Sequence, residues 1–126
     1  MVDDEVTIRK YLAEVLSLEG YDCRCFQESL LALAYLAQCE TPPDLVLTDI
    51  RMPGMDGIAL LKKVRALSPA LPVILISAFF EPAMALEAVR AGAADYLYKP
   101  AKPGEVLALV GKHVRAGQEA RNQAVQ

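Results

Sequence analysis

The sequence predicts an α/β fold, a doubly wound parallel sheet with helices on both faces. Three observations carry this. Short uninterrupted apolar runs such as "DLVLTD" and "LPVILIS" have the composition of strands covered on both sides. Segments with apolar residues at helical spacing alternate with them along the chain. Turn residues sit at nearly every change of period, and strands alternating with helices close into a parallel sheet through right-handed crossovers.

Each element follows in order. From Thr7 to Leu18 the apolar residues Ile8, Tyr11, Leu12, Val15, Leu16 and Leu18 recur at helical spacing, and Gly20 stops the helix. "YDCRCF" alternates like a half-buried strand, after which Ser29 stands where it can cap a Leu/Ala-rich helix running to about Gln38. "TPP" breaks that pattern, "DLVLTD" is the next strand, and the Gly/Pro-rich loop "MPGMDG" leads to a third helix, roughly Ile58 to Leu67. "LPVILIS" is another buried strand, "EPAMALEAVRAG" a helix with proline near its start and glycine after its end, and "DYLYK" the last strand. The final helix begins in "PAKPGEVLALVGKHV", with Val106, Leu109, Val110 and Val114 on one side. "GQEARNQAVQ" is too polar to demand burial, so residues 1–117 read as the domain and 118–126 as a polar tail or the start of a linker.

The totals bound the function. A chain of 126 residues, 54% hydrophobic and 23% charged, is the size of one domain with an ordinary core. A net charge of -3, a pI near 5.1 and no Lys/Arg run give no electrostatic footprint for nucleic acid or an anionic membrane. No basic-then-apolar leader opens the sequence and no apolar run approaches the length of a membrane span, so a cytoplasmic location is expected. Cys23, Cys25 and Cys39 are odd in number, and Cys23 and Cys25 point to one face of a strand without the second pair a zinc site requires. They read as small core or surface residues.

The count of elements is uneven, since five helices follow only four visible strands. Every helix has a strand before it except the first, and in that gap sit Asp3, Asp4 and Glu5 of "MVDDE". Ligands of an open parallel sheet bind beyond the carboxyl ends of its strands. Those ends bear Asp3 and Asp4, Asp49, Ser77 and Lys99. Clustered carboxylates repel one another, and a hard cation such as Mg²⁺ offsets this with oxygen ligands. With a metal on Asp3, Asp4 and Asp49, a phosphoryl donor can approach and Asp49 can attack phosphorus. Lys99 and Ser77 would each hold a phosphoryl oxygen.

Through "VDDE", "DLVLTDIRMPGMDG", "PVILISA" and "AGAADYLYKP" the sequence resembles the receiver domains of two-component response regulators, a flavodoxin-like family, over nearly its whole length. The resemblance implies a phosphoprotein of a phosphorelay in which Asp49 accepts a phosphoryl group from the phosphohistidine of a sensor histidine kinase or phosphotransfer protein. It also implies Mg²⁺ on Asp3, Asp4, Asp49 and the backbone carbonyl of Arg51, and phosphoryl oxygens on Ser77 and Lys99. The Lys99–Pro100 peptide is implied to be cis. Ser77 and Tyr96 are implied as switch residues that remodel the face made by the fourth helix, the last strand and the fifth helix, while Arg51 and Phe79 tune the lifetime of the phosphoryl group. Such a protein phosphorylates and dephosphorylates itself and is not a turnover enzyme on a small substrate. Its partners would include a C-terminal output domain acting in transcription regulation, with no direct nucleic acid contact by the receiver.

One departure stands out. The central first strand of the family is reduced here to Met1 and Val2, and removing a central strand would orphan backbone groups on both neighbours. The preferred reading is that the strand is truncated because the sequence begins late. A strand donated by another chain, giving a homodimer, or a sheet closed over the gap with altered topology are the alternatives. The functional alternative is a phosphorylation-incompetent interaction or dimerisation module. A haloacid-dehalogenase-type hydrolase would need a second Asp where Arg51 stands, and a flavodoxin's phosphate loop would not carry three carboxylates. His113, the only histidine, reads as a surface residue of the last helix.

Overall fold

The computed structural model describes residues 1–2, 6–50, 55–78, 82–99 and 101–125. The elements run α1 (Val6–Leu18), α2 (Ser29–Gln38), β1 (Val46–Asp49), α3 (Gly57–Leu67), β2 (Val73–Ser77), α4 (Pro82–Ala91), β3 (Asp95–Tyr98) and α5 (Pro103–Val125). The three strands form a parallel sheet in the order β1-β2-β3.

Successive strand residues face opposite sides, and both sides are covered. Val46, Val73 and Leu75 enter one core with Leu61 and Val64 of α3 and Ala88 of α4. Leu47, Ile74, Ile76 and Leu97 enter the other with Leu12 and Leu16 of α1 and Val106, Val110 and Val114 of α5. β1 and β2 are therefore buried along their whole length, which explains why their sequences are apolar without alternation. Gly20 (φ 86°) and Gly92 (φ 95°) take the left-handed backbone that ends α1 and α4, a conformation a Cβ would strain.

The N-terminal pair lies inside the sheet. Val2 N–H donates to Leu47 O at 2.8 Å and Val2 O accepts from Asp49 N at 2.8 Å, while on the other side Phe26 N–H donates to Met1 O at 2.9 Å. Val2 thus bridges both Thr48 and Phe26 in parallel and is 1% exposed. The bonded order is therefore Phe26, Val2, β1, β2, β3, with Val2 standing between its two neighbours, so among the described residues the sheet does not close over the gap. The expected strand "YDCRCF" does not form beyond its bridge at Phe26. Next to Met1 and Val2 opens a cleft of about 420 Å³ lined among others by Tyr21, Cys23, Leu45 and Leu47. Among the described residues, the segment 21–25 meets its neighbour at Arg24 O, which accepts from the Met1 ammonium at 2.7 Å, too little pairing to hold a strand.

One further expectation is corrected. Ser29 is not a cap: Glu28 occupies that position without a side-chain cap bond, and the buried Ser29 hydroxyl instead donates to Met55 O at 2.9 Å. The polar tail continues α5, which runs to Val125.

His113 is also not a free surface group. Its Nε2 lies 3.1 Å from Asp95 Oδ2, joining α5 to the start of β3, and its side chain is only 15% exposed. Asp95 Oδ1 accepts from Tyr96 N at 2.9 Å as well. Burial alone would raise the Asp95 carboxyl above its ordinary value, but the bonds from His113 and Tyr96 outweigh it and hold the carboxyl below. A folded-state value below the unfolded one contributes stability that is present above the unfolded pKa and lost as pH falls through the folded pKa. Asp95→Asn is therefore expected to lower unfolding free energy near neutral pH by about 1 kcal/mol, with the gap to the parent narrowing as pH falls into the acid range. Urea denaturation along a pH series checks this.

Candidate functional site

The carboxyl ends of the strands converge because their register is staggered by single residues. Asp49 is opposite Ile76 across β1 and β2, and Ser77 opposite Tyr98 across β2 and β3. The ladder then runs one step past the strands: Ile50 N–H donates to Ile76 O at 3.2 Å and Lys99 N–H to Ser77 O at 2.7 Å. Lys99 is thereby held by its backbone before its side chain makes any contact.

That side chain turns toward β1. Lys99 Nζ lies 2.8 Å from Asp49 Oδ2, and the two side chains are 10% and 7% exposed. A charge-assisted bond of this length is among the stronger polar contacts. Asp49 requires it, since a carboxylate withdrawn from water must find a cation or hydrogen-bond donors. Ser77, 1% exposed, ends β2 one residue beyond the partner of Asp49, with its O accepting from Lys99 N. Tyr96 sits on β3 opposite Leu75, half-buried against the core under α2, α3 and α4, with its ring centroid 5.1 Å from that of Tyr98.

Local chemistry fixes the carboxyl end of β1. Thr48 Oγ1 donates to Asp49 O at 3.0 Å within the buried strand. The loop that follows is closed at its base by Gly57 N–H donating to Ile50 O at 2.7 Å, and Ser29 pins it at Met55 O. Asp56 caps α3, its Oδ1 accepting from Ala59 N at 2.8 Å. Gly57 lies so close that a Cβ would collide with Asp49 O and stand 2.8 Å from Ile50 Cα.

Asp49, Ser77 and Lys99 are thus brought to one edge, and Tyr96 to the adjoining strand. Asp3, Asp4, Arg51, Phe79 and Pro100 lie outside the described residues. Among the described residues no three His, Cys, Asp or Glu side chains are grouped to hold a metal ion. Among them, too, no helix is long and apolar enough to cross a membrane. Sequence reasoning missed the His113–Asp95 tie, the Ser29 anchor and the constraint at Gly57. Only the last had a readable signal, the Asp-Gly pair at the start of a helix after a strand-ending Asp.

Comparison with known proteins gives a consistent answer. Residues 1–111 match the model of the response regulator receiver domain. The chain is 42% identical over 125 residues to the DNA-binding transcriptional regulator NtrC of Salmonella typhimurium, covering 97% of this chain and 26% of that protein. It is 44% identical over 100 residues to the regulatory protein AtoC of Escherichia coli, covering 79% and 21%. The chain thus spans about a quarter of the length of these curated relatives. Among solved structures, the receiver domain of NtrX from Brucella abortus superposes with a TM-score of 0.83 at 36% identity, covering 90% of this chain and 95% of that one. A CheY-like receiver domain protein from Methanospirillum hungatei gives 0.88 at 26%, covering 94% of each.

Two outcomes are expected from this geometry. Gly57→Ala forces the start of α3 off the Asp49 backbone and costs about 1–3 kcal/mol of stability, measured by urea denaturation. Lys99→Met leaves the Asp49 carboxylate without its cation and costs about 1.5–3 kcal/mol, while adding Asp49→Asn recovers part of that loss. A double-mutant cycle in denaturant reads the coupling, and additive losses would contradict the pairing.

Proposed function

The chain belongs to the response regulator receiver family, and on that premise we propose that it is a phosphoacceptor whose Asp49 takes a phosphoryl group from the phosphohistidine of a sensor histidine kinase or phosphotransfer protein. The observation that carries this reading is the 2.8 Å contact between Lys99 Nζ and Asp49 Oδ2 at the carboxyl edge of the sheet. It supports the reading because an ammonium beside an attacking carboxylate oxygen would answer the negative charge that a transferred phosphoryl group brings.

In this mechanism Asp49 Oδ attacks phosphorus, a P–O bond forms, and the P–N bond of the donor breaks with its electron pair returning to the imidazole, which takes a proton from water. Lys99 holds an equatorial oxygen by a charge-assisted bond, and the buried Ser77 hydroxyl donates to another. The donor type fits Mg²⁺, because Asp49 offers hard carboxylate oxygen, and Asp3, Asp4 and the carbonyl of Arg51 would complete the ligands. When bound, Mg²⁺ supplies neutralisation of the clustered carboxylates and of the phosphoryl oxygens. The acyl phosphate is later hydrolysed, so the domain is a timed acceptor and not a turnover enzyme.

The output follows from charge. A phosphoryl group adds about -1.5 to -2 charge, which biases any element that has two arrangements differing in contact with it. Ser77 moving to a phosphoryl oxygen, and Tyr96 shifting with it, would remodel the surface of α4, β3 and α5. A C-terminal output domain acting in transcription regulation would read that surface, with residues 1–117 as the receiver and 118–126 leading toward that domain. A homodimer and a cytoplasmic location belong to the same proposal.

Acetyl phosphate with Mg²⁺ is expected to label the protein, and Asp49→Asn to abolish the label. Lys99→Ala slows labelling by about 10²-fold, the scale of losing one donor at a developing charge. Phosphate-affinity electrophoresis with a time course checks all three. A folded protein that takes no label overturns the proposal in favour of an interaction module that does not accept phosphate.

A further inference from the structure

The two thiols that the phosphoacceptor chemistry does not use lie together. Cys23 Sγ and Cys25 Sγ are 3.8 Å apart, with Cys23 half-buried at the cleft beside Met1 and Val2 and Cys25 exposed. We propose that Cys23 and Cys25 form a bidentate dithiol site for a soft, thiophilic d¹⁰ metal ion of the Cu(I) class.

Bond lengths favour an ion over a disulfide. Metal–sulfur bonds of about 2.3 Å let one ion touch both sulfurs at the observed separation with an S–M–S angle near tetrahedral. Rotation of the exposed Cys25 side chain opens that angle further. A disulfide would instead have to draw the sulfurs to about 2.05 Å between residues i and i+2, whose Cα atoms lie about 6.6 Å apart in extended chain, the upper edge of what that bond tolerates.

Ligand number selects the metal. Among the described residues no third His, Cys, Asp or Glu joins the pair, so an ion that needs four protein ligands is poorly served. Soft thiolates select Cu(I), which two sulfurs satisfy. Binding exchanges two S–H protons for the ion: Cu⁺ and two thiols give a bis-thiolate complex of net charge -1 and two released protons. The guanidinium of Arg24, the residue between the thiols, stands 5.9 Å over the Tyr35 ring. The metal must displace both thiol protons, so affinity rises with pH.

The site also has a mechanical connection to the rest of the molecule. Arg24 O accepts from the Met1 nitrogen at 2.7 Å and Phe26 N–H donates to Met1 O at 2.9 Å, so an ion that draws residues 23 and 25 together acts on the backbone flanking Val2.

The test titrates fully reduced protein with Cu(I) held by the chromophoric chelator bathocuproine disulfonate, following loss of the chelator complex. The expected result is one ion withdrawn per chain, lost in Cys23→Ser and in Cys25→Ser, retained in Cys39→Ser, and tightening as pH rises. Circular dichroism of each variant establishes that the loss is not unfolding. No withdrawal by the folded parent overturns the proposal, as does withdrawal that survives Cys23→Ser or disappears in Cys39→Ser.

Discussion

The contact between Lys99 and Asp49 governs how the rest of this molecule is to be understood. A carboxylate whose side chain is 7% exposed is costly in a protein interior unless a cation or donors answer it. The answering ammonium comes from fifty residues away, and it arrives only because three parallel strands end in step. Asp49 and Ser77 close strands buried along their whole length, and Lys99 follows β3, which buries Leu97, so the packing of two cores aligns one polar edge. Electrostatics at the edge and hydrophobic burial along the strands are in this sense one constraint.

Much of that was readable in the amino-acid sequence. "LPVILIS" and "DLVLTD" are continuous apolar runs because both faces of the sheet are covered, and continuity with flanking turn residues identified them as strands. The register then follows from their lengths, and with it the company of Asp49, Ser77 and Lys99. "YDCRCF" was misleading for an equally physical reason. Alternation describes which side chains could face a core, but a strand also needs a neighbour to bond with, and among the described residues its bonds to a neighbour run through Met1. Local pattern cannot report the length of a partner elsewhere in the chain.

Polar side chains with tertiary partners were least legible. Ser29 precedes a helix and has the composition of a cap, yet its hydroxyl is taken by Met55 O in the loop after β1. His113 stands between exposed and buried helix positions, and nothing near it in sequence announces Asp95, eighteen residues earlier. Both contacts join separate elements, so neither periodicity nor spacing encodes them. Each tightens a part of the molecule that the acceptor chemistry would use: Ser29 the loop beyond Asp49, and His113 the junction of α5 with the strand that carries Tyr96.

The proposal at the centre is chemical: the carboxylate that would become an acyl phosphate is Asp49 and no other. The direct measurement is reduction of the acetyl-phosphate-treated protein with borohydride, which converts an aspartyl phosphate to homoserine, followed by peptide mass spectrometry. The account predicts homoserine at position 49 alone. Homoserine at another aspartate, with position 49 unchanged, would contradict it.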